Sequence, residues 1–246
     1  MTSDVWLGAE RIELDVCEST NDIALVHARE GATHGTVVIA DAQTAGRGRL
    51  GRVWASPAGT NVYLSAIVRA PRSLAELAPM TLAIGIGVVD AVRAAGVPTA
   101  ALKWPNDVVV GTKKLAGILC EVATDGCVVA GIGVNVNVRA HELPPEIAAR
   151  ATSIADARGE TIDRAAFVDA LLREIAPWID RFVQGGVPAI AAAWEQRMAT
   201  HLVLRVERAG SPITGTAVGL DRDGALELRD GTGVIHRIHA GDVAIP

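Results

Sequence analysis

Apolar and polar positions change rhythm several times along the chain, and each change marks a candidate element. Residues 36–40 form a β-branched run typical of a buried strand, and residues 61–68 resume that composition. Residues 43–57 between them are rich in glycine and arginine and predict a long loop. Upstream, Ser19 or Thr20 suits the cap of a helix running through Ile23, Ala24 and His27 toward Gly31, since a short side-chain oxygen accepts the orphan amides of a first turn. Downstream, Ser73 and Glu76 have capping-box spacing for an apolar helix extending to Ala95, with Gly96 as its stop.

Three further strands are predicted at residues 100–104, 115–122 and 128–137, with Lys113 and Lys114 near one turn and Asp125-Gly126 suiting a hairpin. Apolar residues then recur at helical spacing over residues 164–182 and 187–199, separated by Gly185-Gly186. From His201 the texture shifts to short alternating runs at residues 203–206, 213–218, 225–228 and 234–238, which read as a small β-barrel. The expected division is a larger unit over residues 1–199 and a small one over 200–246.

Composition narrows the class. Half of the 246 residues are apolar, enough to bury a sizeable core, and the net charge of -5 does not suggest a dedicated nucleic-acid binder. Cys17, Cys120 and Cys127 are odd in number and have no metal-type spacing, so they read as buried or free thiols of a reducing, cytoplasmic compartment. Residues 1–10 carry Asp4 and Glu10 and lack the basic and apolar regions of a signal peptide. Residues 80–95 are shorter than the roughly 20 needed for a membrane span and contain Asp90 and Arg93, so a core helix is expected there and no membrane. The six histidines show no zinc-type spacing, and no structural metal is predicted.

Candidate chemistry gathers in four segments. GRGRLGR, residues 46–52, sets Arg47, Arg49 and Arg52 among Gly46, Gly48 and Gly51; converging guanidiniums suit a polyanion beside a carboxylate. A solvated loop or an RNA contact is the plainer alternative, against which stand the compactness of the cluster, the acidic remainder of the chain and Trp54 as its lone nearby stacking surface. KWPNDV, residues 103–108, places Asn106 and Asp107 at a turn, where Asp107 is a base, a metal contact or a plain Asx turn. KKLAGILCE, residues 113–121, opens a strand with Lys114, an ammonium able to bridge a carboxylate and a phosphate, and puts Gly117 where ligand and backbone could approach closely. GIGVNVN, residues 131–137, fails as a dinucleotide fingerprint because Val136 holds the third glycine position; Asn135 and Asn137 share a face, toward an adenine edge or toward solvent.

Taken in order, ESTND at 18–22, QTAGRGRLGRVWASP at 43–57, KWPNDV at 103–108, KLAGIL at 114–119 and GIGVNVN at 131–137 closely resemble the biotin–protein ligase family. The resemblance implies an α+β fold: a mixed β-sheet flanked by helices, like the class II aminoacyl-tRNA synthetases, with a C-terminal SH3-like β-barrel. It implies that biotin is activated by ATP to biotinyl-5'-AMP and passed to a lysine of the biotin carboxyl carrier domain of a carboxylase. Biotin would contact Ser19, Thr20, Asn21, Gln43, Arg47, Gly48, Arg49, Lys114 and Gly117. Arg49, Arg52, Trp54, Lys103, Asn106 and Asn135 would serve ATP, accompanied by Mg²⁺. Lys114, Arg47 and Arg49 would stabilise charge, and Asp107 would act on the acceptor amine. Since the STN motif arrives by residue 19, a form without the DNA-binding repressor segment of some members is expected. Lipoate–protein ligase is the neighbouring alternative.

Overall fold

The computed structural model of the chain describes residues 6–124, 126–207, 212–239 and 243–245. Residues 1–5 of the N-terminal segment and Asp125 of the expected Asp125-Gly126 turn lie outside the described residues; Gly126 itself has φ +68°.

Seven strands form one sheet: β1 (Arg11–Cys17), β2 (Val37–Gln43), β3 (Val62–Arg69), β4 (Ala100–Lys103), β5 (Asp107–Val110), β6 (Lys113–Thr124) and β7 (Cys127–Val134), in the order β1-β2-β3-β7-β6-β5-β4. The β1–β2 pair is parallel and the others are antiparallel, so the expected mixed sheet is present. Two of its strands were not foreseen. RIELDVC in β1 lies mostly exposed, and DVVV in β5 begins two residues after Pro105.

The helices are α1 (Thr20–Arg29), α2 (Leu74–Leu77), α3 (Met80–Ala94), α4 (Pro145–Ala148), α5 (Ile154–Arg158), α6 (Arg164–Gly185) and α7 (Ala191–Glu195). Successive strand residues face opposite sides, and the core divides accordingly. Ala66, Val68, Val128 and Ala130 join the large cluster with α3 and α6, whereas Val38, Ile67 and Val129 pack with Ala24 and Ala28 of α1. α3 and α6 approach closely at Gly87, where a Cβ would lie 2.6 Å from Ile175 Cα.

The helix expected from Ser73 to Ala95 is two helices. Its capping box forms, with Ser73 N donating to Glu76 Oε2 (3.0 Å) and Glu76 N to Ser73 Oγ (3.4 Å), but Pro79 has no amide to continue the ladder and the chain restarts at Met80. The segment over 187–199 also shortens, to a 3-10 turn at Val187–Ala189 followed by α7. There the backbone leaves the helix to bond alongside β4: Leu102 N donates to Arg197 O and Ala199 N to Leu102 O, both at 2.8 Å.

The C-terminal strands are β8 (Val203–Val206), β9 (Ile213–Leu220), β10 (Leu226–Asp230), β11 (Ile235–Ile238) and β12 (Val243–Ala244). Their order is β11-β10-β9-β8-β12, an open antiparallel sheet with β11 and β12 as its edges, so the expected SH3-like barrel is not found among the described residues. Closure would need β11 to bond β12, yet β12 has two residues, pairs with β8, and its Val243 O accepts from Lys103 Nζ (2.6 Å) in the larger sheet. The apolar face is covered instead by the rest of the molecule. Leu204, Val206, Ala217, Leu226 and Ile238 share one core cluster with α3 and α6, and a Cβ at Gly224 would meet Leu82 and Pro79 at about 3 Å.

Candidate active site

On the face that carries α1, the register aligns three rows. Tyr63, Ser65 and Ile67 of β3 lie opposite Gly133, Gly131 and Val129 of β7, which lie opposite Gly117, Leu119 and Glu121 of β6. Ile67 and Val129 fill the space beneath α1. Glycine at 117 and 133 leaves a slot beyond the helix start that the Trp54 indole enters, and a cavity of about 970 Å³ opens beside it. The residues given a biotin, ATP or catalytic role by the resemblance line this cavity, Ser19, Thr20, Asn21, Gln43, Arg47, Gly48, Arg49, Arg52, Trp54, Lys103, Asn106, Asp107, Lys114, Gly117 and Asn135, whereas Asn137 does not.

The slot is built for close approach. A Cβ at Gly133 would lie 2.7 Å from Trp54 Cε2, one at Gly117 would lie 3.1 Å from Trp54 Cζ3, and the Lys114 ammonium is 5.2 Å from the indole centroid. A Cβ at Gly131 would collide with Asn21 Oδ1, so that glycine makes room for the protein's own amide.

The start of α1 is held by a chain of side chains. Ser19 is the N-cap in backbone but makes no side-chain cap bond, contrary to the expectation for Ser19 or Thr20. Gln43 does that work: its Oε1 accepts from Thr20 N (2.9 Å), and its Nε2 donates to Ser56 Oγ (2.9 Å). The Ser65 hydroxyl, fully buried, sits 2.7 Å from Thr20 Oγ1 and donates to Asn21 Oδ1 (2.6 Å). Asn21 Nδ2 donates to Glu121 Oε2 (2.7 Å). Buried polar groups need such partners, and these fix the side chains at the slot's end.

The arginine loop folds as a narrow turn. Trp54 N donates to Gly46 O (2.9 Å), Gly48 N donates to Arg52 O (2.7 Å), and at the tip Leu50 adopts φ +57° and Gly51 φ +70°. A Cβ at Gly46 would strike Trp54 O at 2.5 Å, whereas one at Gly48 would meet only ordinary contacts. The guanidiniums do not converge on one point as expected. Arg47 Nη1 donates to Asp22 Oδ2 (2.7 Å) and Nη2 to Glu121 Oε2 (2.9 Å); these carboxylates hold its guanidinium above the usual range. Arg49 Nη1 donates instead to Asn106 Oδ1 (3.1 Å).

KWPND spans the tip of the β4–β5 hairpin. Asp107 is not in the turn, as predicted, but opens β5 opposite Lys103. Its carboxylate stands 2.6 Å from Lys114 Nζ and 3.5 Å from Lys103 Nζ. Asn106 Nδ2 donates to Ile118 O (2.8 Å), so that residue is a bracket between the hairpin, β6 and the arginine loop. Asn135 and Asn137 lie past the end of β7 rather than along one strand face. Asn135, buried, donates to Thr152 O (2.9 Å), and Asn137 exchanges two bonds with the Ile162 backbone, so the solvent-facing alternative does not hold for Asn135.

Sequence reasoning missed Tyr63, Ser65, Asp22 and Glu121. A serine inside the apolar run of β3 was the one available signal, since a polar residue in a buried strand needs a reason. Tyr63, which also lines the cavity, donates to Pro57 O (2.9 Å), and burial pushes its hydroxyl up to about 12. Among the described residues no group of three or more His, Cys, Asp or Glu side chains is placed to hold a metal ion.

Comparison with known proteins agrees with the geometry. The model of the biotin/lipoate A/B protein ligase family matches residues 13–138, and that of the biotin protein ligase C-terminal domain matches 205–245. The bifunctional ligase/repressor BirA of Bacillus spizizenii is 34% identical over 244 residues, covering 97% of this chain and 75% of the relative. A biotin–acetyl-CoA-carboxylase ligase of Mycobacterium tuberculosis is 39% identical over 232 residues, covering 92% and 85%. The solved biotin protein ligase of Aquifex aeolicus in complex with biotin and ATP superposes with a TM-score of 0.80 at 30% identity, covering 97% of this chain and 99% of the other.

Proposed function

The chain belongs to the biotin/lipoate A/B protein ligase family, and from that premise we propose that it is an ATP-dependent biotin–protein ligase. The observation that carries the reading is the convergence of the STN, arginine-loop, KWPND, Lys114 and Gly117 segments on one cavity with a glycine-floored slot. The slot takes the acid with its ring end toward Ser19, Thr20, Asn21 and Gln43, and its carboxylate toward Lys114. ATP occupies the side of Arg49, Arg52, Trp54, Lys103, Asn106 and Asn135. We assign these substrate contacts, like a division of the chain near residue 200, as part of the proposal.

In the first half-reaction the biotin carboxylate attacks the α-phosphate and pyrophosphate leaves. Lys114 and Arg49 offset the charge gathering between the two anions, and the site's fixed geometry aligns them. Asp107 is held by two ammoniums. As Lys114 turns to the acyl-phosphate, an Asp107 oxygen becomes available to take a proton from the acceptor lysine, whose amine ordinarily titrates at about 10.4 and must be neutral to attack. The amine then displaces AMP.

Magnesium is expected with ATP. A cation that prefers oxygen ligands finds no dedicated cage among the described residues, and the Asp107 oxygens are engaged by lysines, so we propose that it arrives on the nucleotide's phosphates. The acceptor proposed is a biotin carboxyl carrier domain. Incubation with such a domain, ATP and biotin should add one biotin by intact mass, and replacing the domain's target lysine by arginine should abolish the addition. Addition that persists after that replacement, or none to the intact domain, would count against the assignment.

A further inference from the structure

The arginine loop and the start of α1 meet on one side chain that no motif nominated. Glu121 Oε2 accepts from Asn21 Nδ2 (2.7 Å) and from Arg47 Nη2 (2.9 Å), and its Oε1 takes a further contact from Arg47 Nη2 (3.2 Å). Asp22, adjacent to Asn21 on α1, holds the other edge of the same guanidinium. The Arg47, Glu121 and Asp22 side chains are 38%, 31% and 41% exposed, so the contact is a surface clasp and not a core ion pair. Inward from Asn21 the bonds continue through Ser65 and Thr20 to Gln43, the groups assigned above to the ring end of the acid.

We propose that Glu121 is a positioning residue that couples seating of the acid at the start of α1 to closure of the arginine loop. This rests on the function proposed above. One carboxylate serves both donors, so an acid that immobilises Asn21 also orients Glu121 for Arg47 and lowers the entropic cost of holding the loop shut. By reciprocity, a closed loop strengthens binding of the acid. Glu121 is not among the residues that line the cavity, whereas Asn21 and Arg47 are, so its contribution acts through those two.

Glu121→Gln keeps the size and an acceptor for Asn21 while removing the charge that grips Arg47. Asp22→Asn loosens the same clasp from α1 and serves if the first variant folds poorly. Three quantities are read in each: release of biotinyl-adenylate into solution, KM for biotin in ATP–pyrophosphate exchange, and tryptic cleavage of the loop with and without biotin and ATP. The expected result is adenylate release faster by about tenfold, a biotin KM raised by a similar factor with a smaller change in maximal rate, and loss of ligand-induced protection from trypsin. Variants that retain adenylate, KM and protection as the parent does, or that lose only thermal stability, overturn the coupling. A parent protein without biotin-dependent exchange overturns the proposed function itself, and the coupling with it.

Discussion

Asp107 is the residue whose placement says most about the order of events. It stands 2.6 Å from Lys114, which faces the first half-reaction, and is assigned to the second. Asp107→Asn should therefore slow transfer from preformed adenylate to the acceptor by about 100-fold while affecting pyrophosphate exchange far less. Single-turnover transfer measured beside exchange tests this, and equal losses in both would remove Asp107 from the acceptor step. Gly133 makes a second residue-level prediction. An added methyl there would press on the Trp54 indole and narrow the slot, so Gly133→Ala should weaken biotin binding by about tenfold or more in calorimetric titration, with little effect on global unfolding. At this scale the motifs were legible, because Gly, Pro, Asn and Asp announce special backbone and Arg and Lys announce anions. Glu121 and Ser65 were not, since what they do depends on partners more than 40 positions away.

The elements follow from period and punctuation where those are strong. β2, β3, β6 and the long α6 were readable from apolar runs and helical spacing. β1 was hidden by its polar, exposed edge position, and the split between α2 and α3, which falls at Pro79, was hidden by the capping box and the apolar run on either side of it. The same helix supplies a prediction. Gly87 lets α3 lie against the α6 backbone, so Gly87→Val should force the helices apart and destabilise the fold by about 2–3 kcal/mol. Urea unfolding with an unchanged midpoint would show that the crossing tolerates the added volume.

At the scale of the whole molecule the lesson lies in the C-terminal sheet. Short alternating runs and turn signals predicted its strands, but whether they close is decided by what covers the apolar face, and one sequence does not show that. Here α3 and its neighbours cover it, Trp104 Nε1 donates to Gly224 O (3.0 Å), and Lys103 reaches Val243 O, so the KWPND hairpin links both sheets to the cavity. The mixed character of the larger sheet was legible only through the family resemblance, since its one parallel pair is made by β1, whose polar, exposed residues carry no strand signal.

Activation of biotin by ATP in this cavity is tested by ATP–pyrophosphate exchange with the purified full chain, run in parallel with biotin, lipoate and no acid. Label should enter ATP with biotin alone. Exchange with lipoate and not biotin would contradict the assigned acid, and no exchange with either would contradict the assigned chemistry.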